Sequence, residues 1–268
     1  MENQIQFETW KNQVEDITPQ EQIDCLRIIE LNISNICNLK CPFCPQSKDW
    51  HPSRDFMSLD TVIEISKQLK DFNYQGYICI AGFGEPSMNK DLLDILKVLK
   101  DFHLVLVTNG SLNKEDLEEI SGLAQIKVSV HNIKQINFFK EKFKDTNAWF
   151  RNHDIVNPEM NIYNRGGYLW KPKERIIRPC NFPFYKLFID VDGYYLRCEA
   201  DWSHKSRKIN NIFNTPIKKF FVEELEEDRK LMLSPEGRQN FPSCKDCDIQ
   251  GTLTGQKFID FWKGNYNG

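Results

Sequence analysis

The chain has 268 residues, 40% hydrophobic and 27% charged, with a formal net charge of -3. That is ordinary globular composition, long enough to bury a sizeable core. The balance of charge asks for neither nucleic acid nor an anionic membrane, and no run approaches the length of a transmembrane helix. Met1 to Gln22 lacks the apolar core of a signal peptide, so the sequence reads as soluble and cytoplasmic.

The first half alternates strand and helix patterns. Leu26 to Ile33 reads as a strand. Ser58 is placed to cap a helix in which Val62, Ile65 and Leu69 recur at helical spacing, with Asp60 early and Lys67 and Lys70 late, as the helix dipole prefers. Tyr77 to Ile80 is a second strand, and Leu92, Leu96 and Leu99 mark a second helix after Pro86. Leu104 to Val107 is a third strand, ended by Thr108-Asn109-Gly110. Ser111 is placed to cap a third helix with Leu117 and Ile120 inward, and Ile126, Val128 and Val130 alternate as in a fourth strand. Phe138 to Arg151, rich in Phe and Lys, fits either helix or irregular chain. Lys186 to Val191, Asp192-Gly193 and Tyr194 to Cys198 read as a hairpin with an Asp-Gly turn. Pro216 to Leu233 reads as a helix, and Gly251 to Gly268 as a frayed tail.

Strand–helix repetition implies an α/β fold with a parallel sheet and right-handed crossovers. A closed eight-fold barrel needs roughly 200 residues or more. The repeat region, Leu26 to Tyr163, is shorter, so the expected fold is a partial, open TIM-like β/α barrel. Its chemistry belongs at the C-terminal strand ends. The expected organisation is an N-terminal extension over 1–25, the barrel over 26–170, a small hairpin-plus-helix domain over 171–250 and a tail over 251–268.

Nine cysteines, mostly in tight clusters on a chain without an export signal, point to metal binding or redox chemistry rather than disulfides. Cys37, Cys41 and Cys44 form C-x3-C-x2-C just past the first strand. Three thiolates in one loop can hold three irons of a cubane cluster and leave the fourth open. Zinc is the alternative, but structural zinc takes four ligands and His51 stands seven residues beyond Cys44. Cys180, Cys198, Cys244 and Cys247 form a second set, which would saturate a four-iron cluster or a tetrahedral zinc equally well.

With Phe43 ahead of its third cysteine, the first motif resembles that of the radical S-adenosylmethionine (SAM) superfamily, and the resemblance spans most of the chain. It implies SAM chelated to the open iron and cleaved to a 5′-deoxyadenosyl radical. Gly82-Phe83-Gly84-Glu85-Pro86 resembles the segment that binds the SAM amino group. Glu85 would accept from the ammonium, and Gly82 and Gly84 would admit the backbone. Asn109, Ser129 and His131, at the third and fourth strand ends, would touch the ribose or methionine part; for Ser129 and His131 a purely structural role fits as well.

The second cysteine set resembles the twitch module, a shortened SPASM domain with one auxiliary cluster, giving two [4Fe-4S] clusters in all. The layout is similar to that of twitch-domain dehydrogenases that oxidise an amino-cyclitol alcohol to a ketone. By that resemblance Arg165, in Asn164-Arg165-Gly166-Gly167, binds substrate hydroxyls, Glu199 adds a polar contact, and the auxiliary cluster accepts an electron. Without a functional role, Arg165 would form a surface ion pair and Glu199 a solvated hairpin end. Cys79 is a small buried hydrophobe or, in a sharper reading, a hydrogen-atom donor, which would make the enzyme an epimerase. Implied partners are a small-molecule sugar or cyclitol and a flavodoxin or ferredoxin reductant. The sequence also admits a peptide-modifying radical SAM enzyme, and, from a different class, a zinc or iron–sulfur interaction module. His51, His103, His153 and His204 are isolated; Tyr168, Trp170 and Phe184 either line a pocket or pack; Glu223 to Lys230 is a solvated helix face.

Overall fold

The computed structural model describes residues 11–48, 50, 55–152, 163–175, 177–204 and 210–266. His51, His153 and residues 1–10 of the N-terminal extension therefore lie outside the described residues. Seven strands form one sheet: β1 Ile28–Asn32, β2 Tyr77–Ala81, β3 His103–Thr108, β4 Gln125–Val130, β5 Trp149–Asn152, β6 Lys186–Ile189 and β7 Tyr195–Leu196. The order is β5-β4-β3-β2-β1-β6-β7, parallel throughout except for the β6–β7 hairpin. The sheet is open, so the partial-barrel expectation holds.

Register explains why these segments are strands. Ile29 and Leu31 of β1 share a face with Ile78 and Ile80, Leu104 and Leu106, and Ile126 and Val128. All of these are buried in the main core. Helix α1, Leu59–Asp71, supplies Val62, Ile65 and Leu69 to that core, each fully buried. Ser58 caps it by accepting from the Thr61 N–H at 3.2 Å. Helices α2, Leu92–Val98, and α3, Leu117–Leu123, follow β2 and β3. Side chains alternate across a strand, so Glu30, Cys79, Val105 and Lys127 lie on the opposite, inner face. The molecule thus separates an apolar, helix-covered face from a partly charged inner one.

Several elements differ from expectation. Ser111 does not cap α3: its N–H and hydroxyl both donate to Asn109 Oδ1, at 3.0 and 2.5 Å, and the helix starts only after Asp116. The ambiguous Phe/Lys stretch resolves into helix α4, Ile136–Lys142, and strand β5. The first strand of the Asp-Gly hairpin joins the main sheet, pairing in parallel with β1. Pro216 to Leu233 is helical but interrupted, with a π turn over Phe220–Glu224 ahead of helix α5, Glu226–Met232.

The tail is not frayed over its described length. It forms α6, Gln256–Tyr266, with Phe258, Ile259 and Trp262 buried. The Trp262 indole N–H donates to Phe184 O at 3.1 Å. The Arg229 guanidinium lies over both the Phe221 and Trp262 rings, at 4.3 and 3.9 Å. An amphipathic helix without turn residues in its middle gains more from burying that aromatic face than it loses in chain entropy. Among the described residues no helix is long and apolar enough to cross a membrane.

Candidate active site

The cysteine loop leaves β1 and is pinned against the ends of β2 and β3. A Cβ on Gly84 would collide with the Ser34 and Ile36 carbonyl oxygens, so only glycine lets the two loops approach so closely. Gly82 adopts a φ of +133°, and a Cβ there would strike the Asn32 side chain. The Glu85 N–H then donates to Ile36 O at 2.8 Å. Phe43 is buried, its ring 5.5 Å from that of His131.

Glu85 is buried and heavily engaged. Its Oε1 accepts from the Thr108 hydroxyl at 2.6 Å and the Ser87 N–H at 3.3 Å, and its Oε2 from the Asn109 N–H at 2.7 Å. Burial raises its pKa, against the pull of these donors. Asn109 is likewise committed. Its amide N–H2 donates to Asn38 Oδ1 at 2.8 Å and lies 4.0 Å from Cys37 Sγ.

The three loop thiols are half-buried and none is in a disulfide. Burial pushes Cys37 and Cys41 up to about 11 and raises Cys44 as well. Cys37 and Cys44 both act electrostatically on Cys41. Arg165 acts on both Cys41 and Cys44. The Asn164-Arg165-Gly166-Gly167 turn, expected to face substrate, is therefore brought to the cysteine loop. Arg165 holds φ at +54°, and its Nε is buried with no hydrogen-bond partner among the described residues. The turn is fixed from the other side, where the Asn164 amide donates to Asp246 O at 2.6 Å and Trp170 O at 3.1 Å.

Ser129 and His131 lie at the end of β4, with Arg151 paired opposite Ser129 on β5. Burial, then Arg165 and Arg151, bring His131 down to about 4, so its imidazole is neutral at pH 7. Deeper on the inner face, Lys186 bridges Glu30 at 2.6 Å and Glu199 at 2.9 Å. Burial works against the Lys186 ammonium, but Glu199 and Glu30 outweigh it and hold its pKa well above the usual value. Burial, then Arg151, lower Lys127 to about 8. Burial, then Glu30, push the Cys79 thiol up to about 12, so it keeps its proton.

Sequence reading missed Glu30, Lys127, Arg151 and Lys186. The signal was present: in Ile28-Ile29-Glu30-Leu31 and Ile126-Lys127-Val128, one charge interrupts an otherwise apolar strand. His204, taken as isolated, stands 3.6 Å from Asp190 and packs by Phe83 and Trp50. Phe184 is fully buried in the core, whereas Tyr168 and Trp170 are exposed.

The second thiol set gathers from separate points in the chain. Cys198 is acted on by Cys180, Cys244 and Cys247 together. Burial holds Cys198 well above the ordinary thiol range and pushes Cys180 to about 11 and Cys247 to about 12. Gly251, at φ +66°, makes room for the Cys180 sulfur and the Arg238 guanidinium, both of which a Cβ would strike. Among the described residues no group of three or more His, Cys, Asp and Glu side chains is arranged to hold a metal ion. The fit of a cluster thus rests on donor chemistry: free thiols, three from one loop and four from the second set, within electrostatic reach of one another and of Arg165 or Arg238.

Residues 31–156 match the sequence model of the Radical SAM superfamily. Curated relatives include a GTP 3′,8-cyclase of Aquifex aeolicus, 31% identical over 40% of this chain and 36% of its own length. A probable GTP 3′,8-cyclase of Archaeoglobus fulgidus is 30% identical over 39% of this chain and 36% of its own. The chain therefore spans about a third of the length of these relatives. Among solved structures, BtrN in complex with AdoMet and 2-DOIA has a TM-score of 0.71 at 22% identity, covering 87% of this chain and 96% of that one. Native anSMEcpe with bound AdoMet has a TM-score of 0.58 at 14% identity, covering 90% and 96%. These structural likenesses establish a shared fold.

Proposed function

The chain carries a radical SAM domain over residues 31–156, and from that premise we propose that it is an oxidoreductase acting on a hydroxyl of a small sugar- or cyclitol-like substrate. The carrying observation is the second thiol set: four free cysteines, Cys247 buried and the other three half-buried, in electrostatic reach of one another and enough in number to ligate every iron of a four-iron cluster. Cys37, Cys41 and Cys44 would hold the SAM-binding [4Fe-4S] cluster, and Cys180, Cys198, Cys244 and Cys247 an auxiliary one. When bound, these groups supply a 5′-deoxyadenosyl radical and a one-electron acceptor.

The chain's own residues do the rest. Gly82 and Gly84 keep the β2 loop close to the cysteine loop. Glu85 would accept from the SAM ammonium, and Arg151, paired opposite Ser129, would offer a cation to its carboxylate. Phe43 and neutral His131 wall the site. Arg165 orients substrate hydroxyls, since a guanidinium presents several donors in a fixed fork. Glu199, partly exposed and held by Lys186, gives the opposing polar contact. In the balanced reaction, one carbinol hydrogen atom leaves with the adenosyl carbon, the hydroxyl proton goes to a base, and one electron goes to the acceptor, leaving a ketone. A low-potential flavodoxin or ferredoxin supplies the initiating electron.

The test is anaerobic iron and sulfide analysis coupled to isotope tracing. About four irons per cluster give about eight in the wild type and about four in Cys37/Cys41/Cys44→Ala, with SAM cleavage lost. Substrate deuterium should appear in 5′-deoxyadenosine as ketone forms. Zinc at the second set would overturn the dehydrogenase reading. Cys79 favours a second reading, an epimerase, because a protonated inner-face thiol carries a transferable hydrogen atom. That reading requires solvent deuterium in the product and loss of turnover in Cys79→Ala.

A further inference from the structure

We propose that Asn109 is a positioning residue that donates its side-chain amide hydrogen to the Cys37 sulfur and so sets the reduction potential of the first cluster. The inference rests on the reading of Cys37, Cys41 and Cys44 as cluster ligands.

Three observations converge on Asn109. Its amide cannot turn around, because Oδ1 accepts from both the Ser111 N–H and the Ser111 hydroxyl. The NH2 end is thereby forced toward the cysteine loop, where it meets Asn38 Oδ1 at 2.8 Å and Cys37 Sγ at 4.0 Å. Its backbone is fixed too, through the N–H bond to Glu85 Oε2 at 2.7 Å. The Asn38 amide closes the circuit by donating to the Ser111 hydroxyl at 2.7 Å. This network joins the cysteine loop to the ends of β2 and β3 and spends the whole polar capacity of the Asn109 amide within the protein.

Cys37 is set apart from the other two ligands. Its sulfur accepts from the Leu39 N–H at 3.4 Å and also faces this side-chain donor. Cys41 and Cys44 are influenced by backbone donors, from Cys41 itself and from Gln46. A separation of 4.0 Å is long for a neutral thiol, but a metal-bound thiolate is a far stronger acceptor. Hydrogen bonds to cluster sulfurs favour the more negative, reduced state and raise the potential. Asn109 thus acts on the electron that starts the reaction, rather than on the ribose or methionine of SAM.

The test is a redox titration of the intact two-cluster protein without SAM, followed by electron paramagnetic resonance. Asn109→Ala deletes the donor, and Asn109→Asp replaces it with an acceptor of the same shape. Both should lower the midpoint of the first cluster, Asn109→Asp further, while the auxiliary midpoint stays put. Unchanged midpoints at full iron content would overturn the proposal. Should either variant fail to assemble, wild type labelled with 15N in the asparagine side chain decides. A 15N coupling to the reduced first cluster supports the contact, and its absence overturns it. Iron missing from the first site of the wild type would instead locate the failure in the radical SAM reading itself.

Discussion

The two thiol sets are built on opposite plans. Cys37, Cys41 and Cys44 come from one loop, are half-buried, and stand at the open ends of the strands. Cys180, Cys198 and the Cys244/Cys247 pair come from three separate segments, and Arg238 acts electrostatically on Cys180 and Cys247. That guanidinium is almost fully buried and donates to Ile249 O at 2.6 Å and Gln250 O at 2.8 Å. A local loop would leave a coordination position accessible to a ligand, whereas a distributed set of four would saturate its cluster. On the proposed function, the first set would serve SAM and the second would accept an electron.

The sharpest way to break it is to remove one set at a time. Cys41→Ala should abolish SAM cleavage, a loss of at least about 1,000-fold, on the scale of deleting a group essential to the chemistry. Cys198→Ala should leave SAM cleavage measurable but uncouple it, so that 5′-deoxyadenosine accumulates with little ketone. Chromatographic quantification of both products checks this; equal loss of both in Cys198→Ala would remove the proposed division of labour.

A smaller effect separates the two glycine contacts. Gly251→Ala forces a Cβ toward Cys180 and Arg238 at a backbone angle that L residues avoid. It should halve the iron content and spare the first cluster. Gly84→Ala meets main-chain oxygens of the cysteine loop instead and should do the reverse. Iron analysis with spectral assignment of each cluster reads both, and identical losses in the two variants would contradict separate cradles.

How much of this is legible in the sequence follows from range. The cysteine spacing, the alternating strands and the Ser58 cap are local signals, and each survives in the structure. The parallel pairing of β6 with β1 is not local, because nothing in Lys186-Leu187-Phe188-Ile189 states which edge it will join. The docking of α6 escapes sequence reading for the same reason. The Gly and Asn residues at its end suggest fraying, whereas Phe258, Ile259 and Trp262 bury against partners far away in sequence. Glu30 and Lys186 are easily overlooked because a charge inside a strand reads as noise until the opposing charge is located 2.6 Å away.

Stability tests the same long-range packing. Trp262→Ala removes a fully buried indole and its stacking on Arg229, and should cost about 3–5 kcal/mol. Urea unfolding is the measurement. A loss under about 1 kcal/mol, the level of a surface substitution, would mean that α6 is dispensable to the core.

The least effect is expected at His131, whose ring packs near Phe43 of the cysteine loop. In the fold its pKa falls from 6.5 to about 4, because burial first and Arg165 and Arg151 next disfavour the imidazolium. The unfolded chain therefore binds a proton between those values that the folded chain refuses. Stability associated with neutral His131 is present above pH 6.5 and drains away as the pH falls toward 4. His131→Asn removes this titration, so its urea midpoint, measured anaerobically from about pH 7 down to about pH 5, should decline less steeply than that of the wild type. Cys180→Ala, on the other plan, should leave that slope as it is. Parallel curves for His131→Asn and wild type would mean that the imidazole is as well solvated in the fold as out of it, and that the wall it forms with Phe43 admits water.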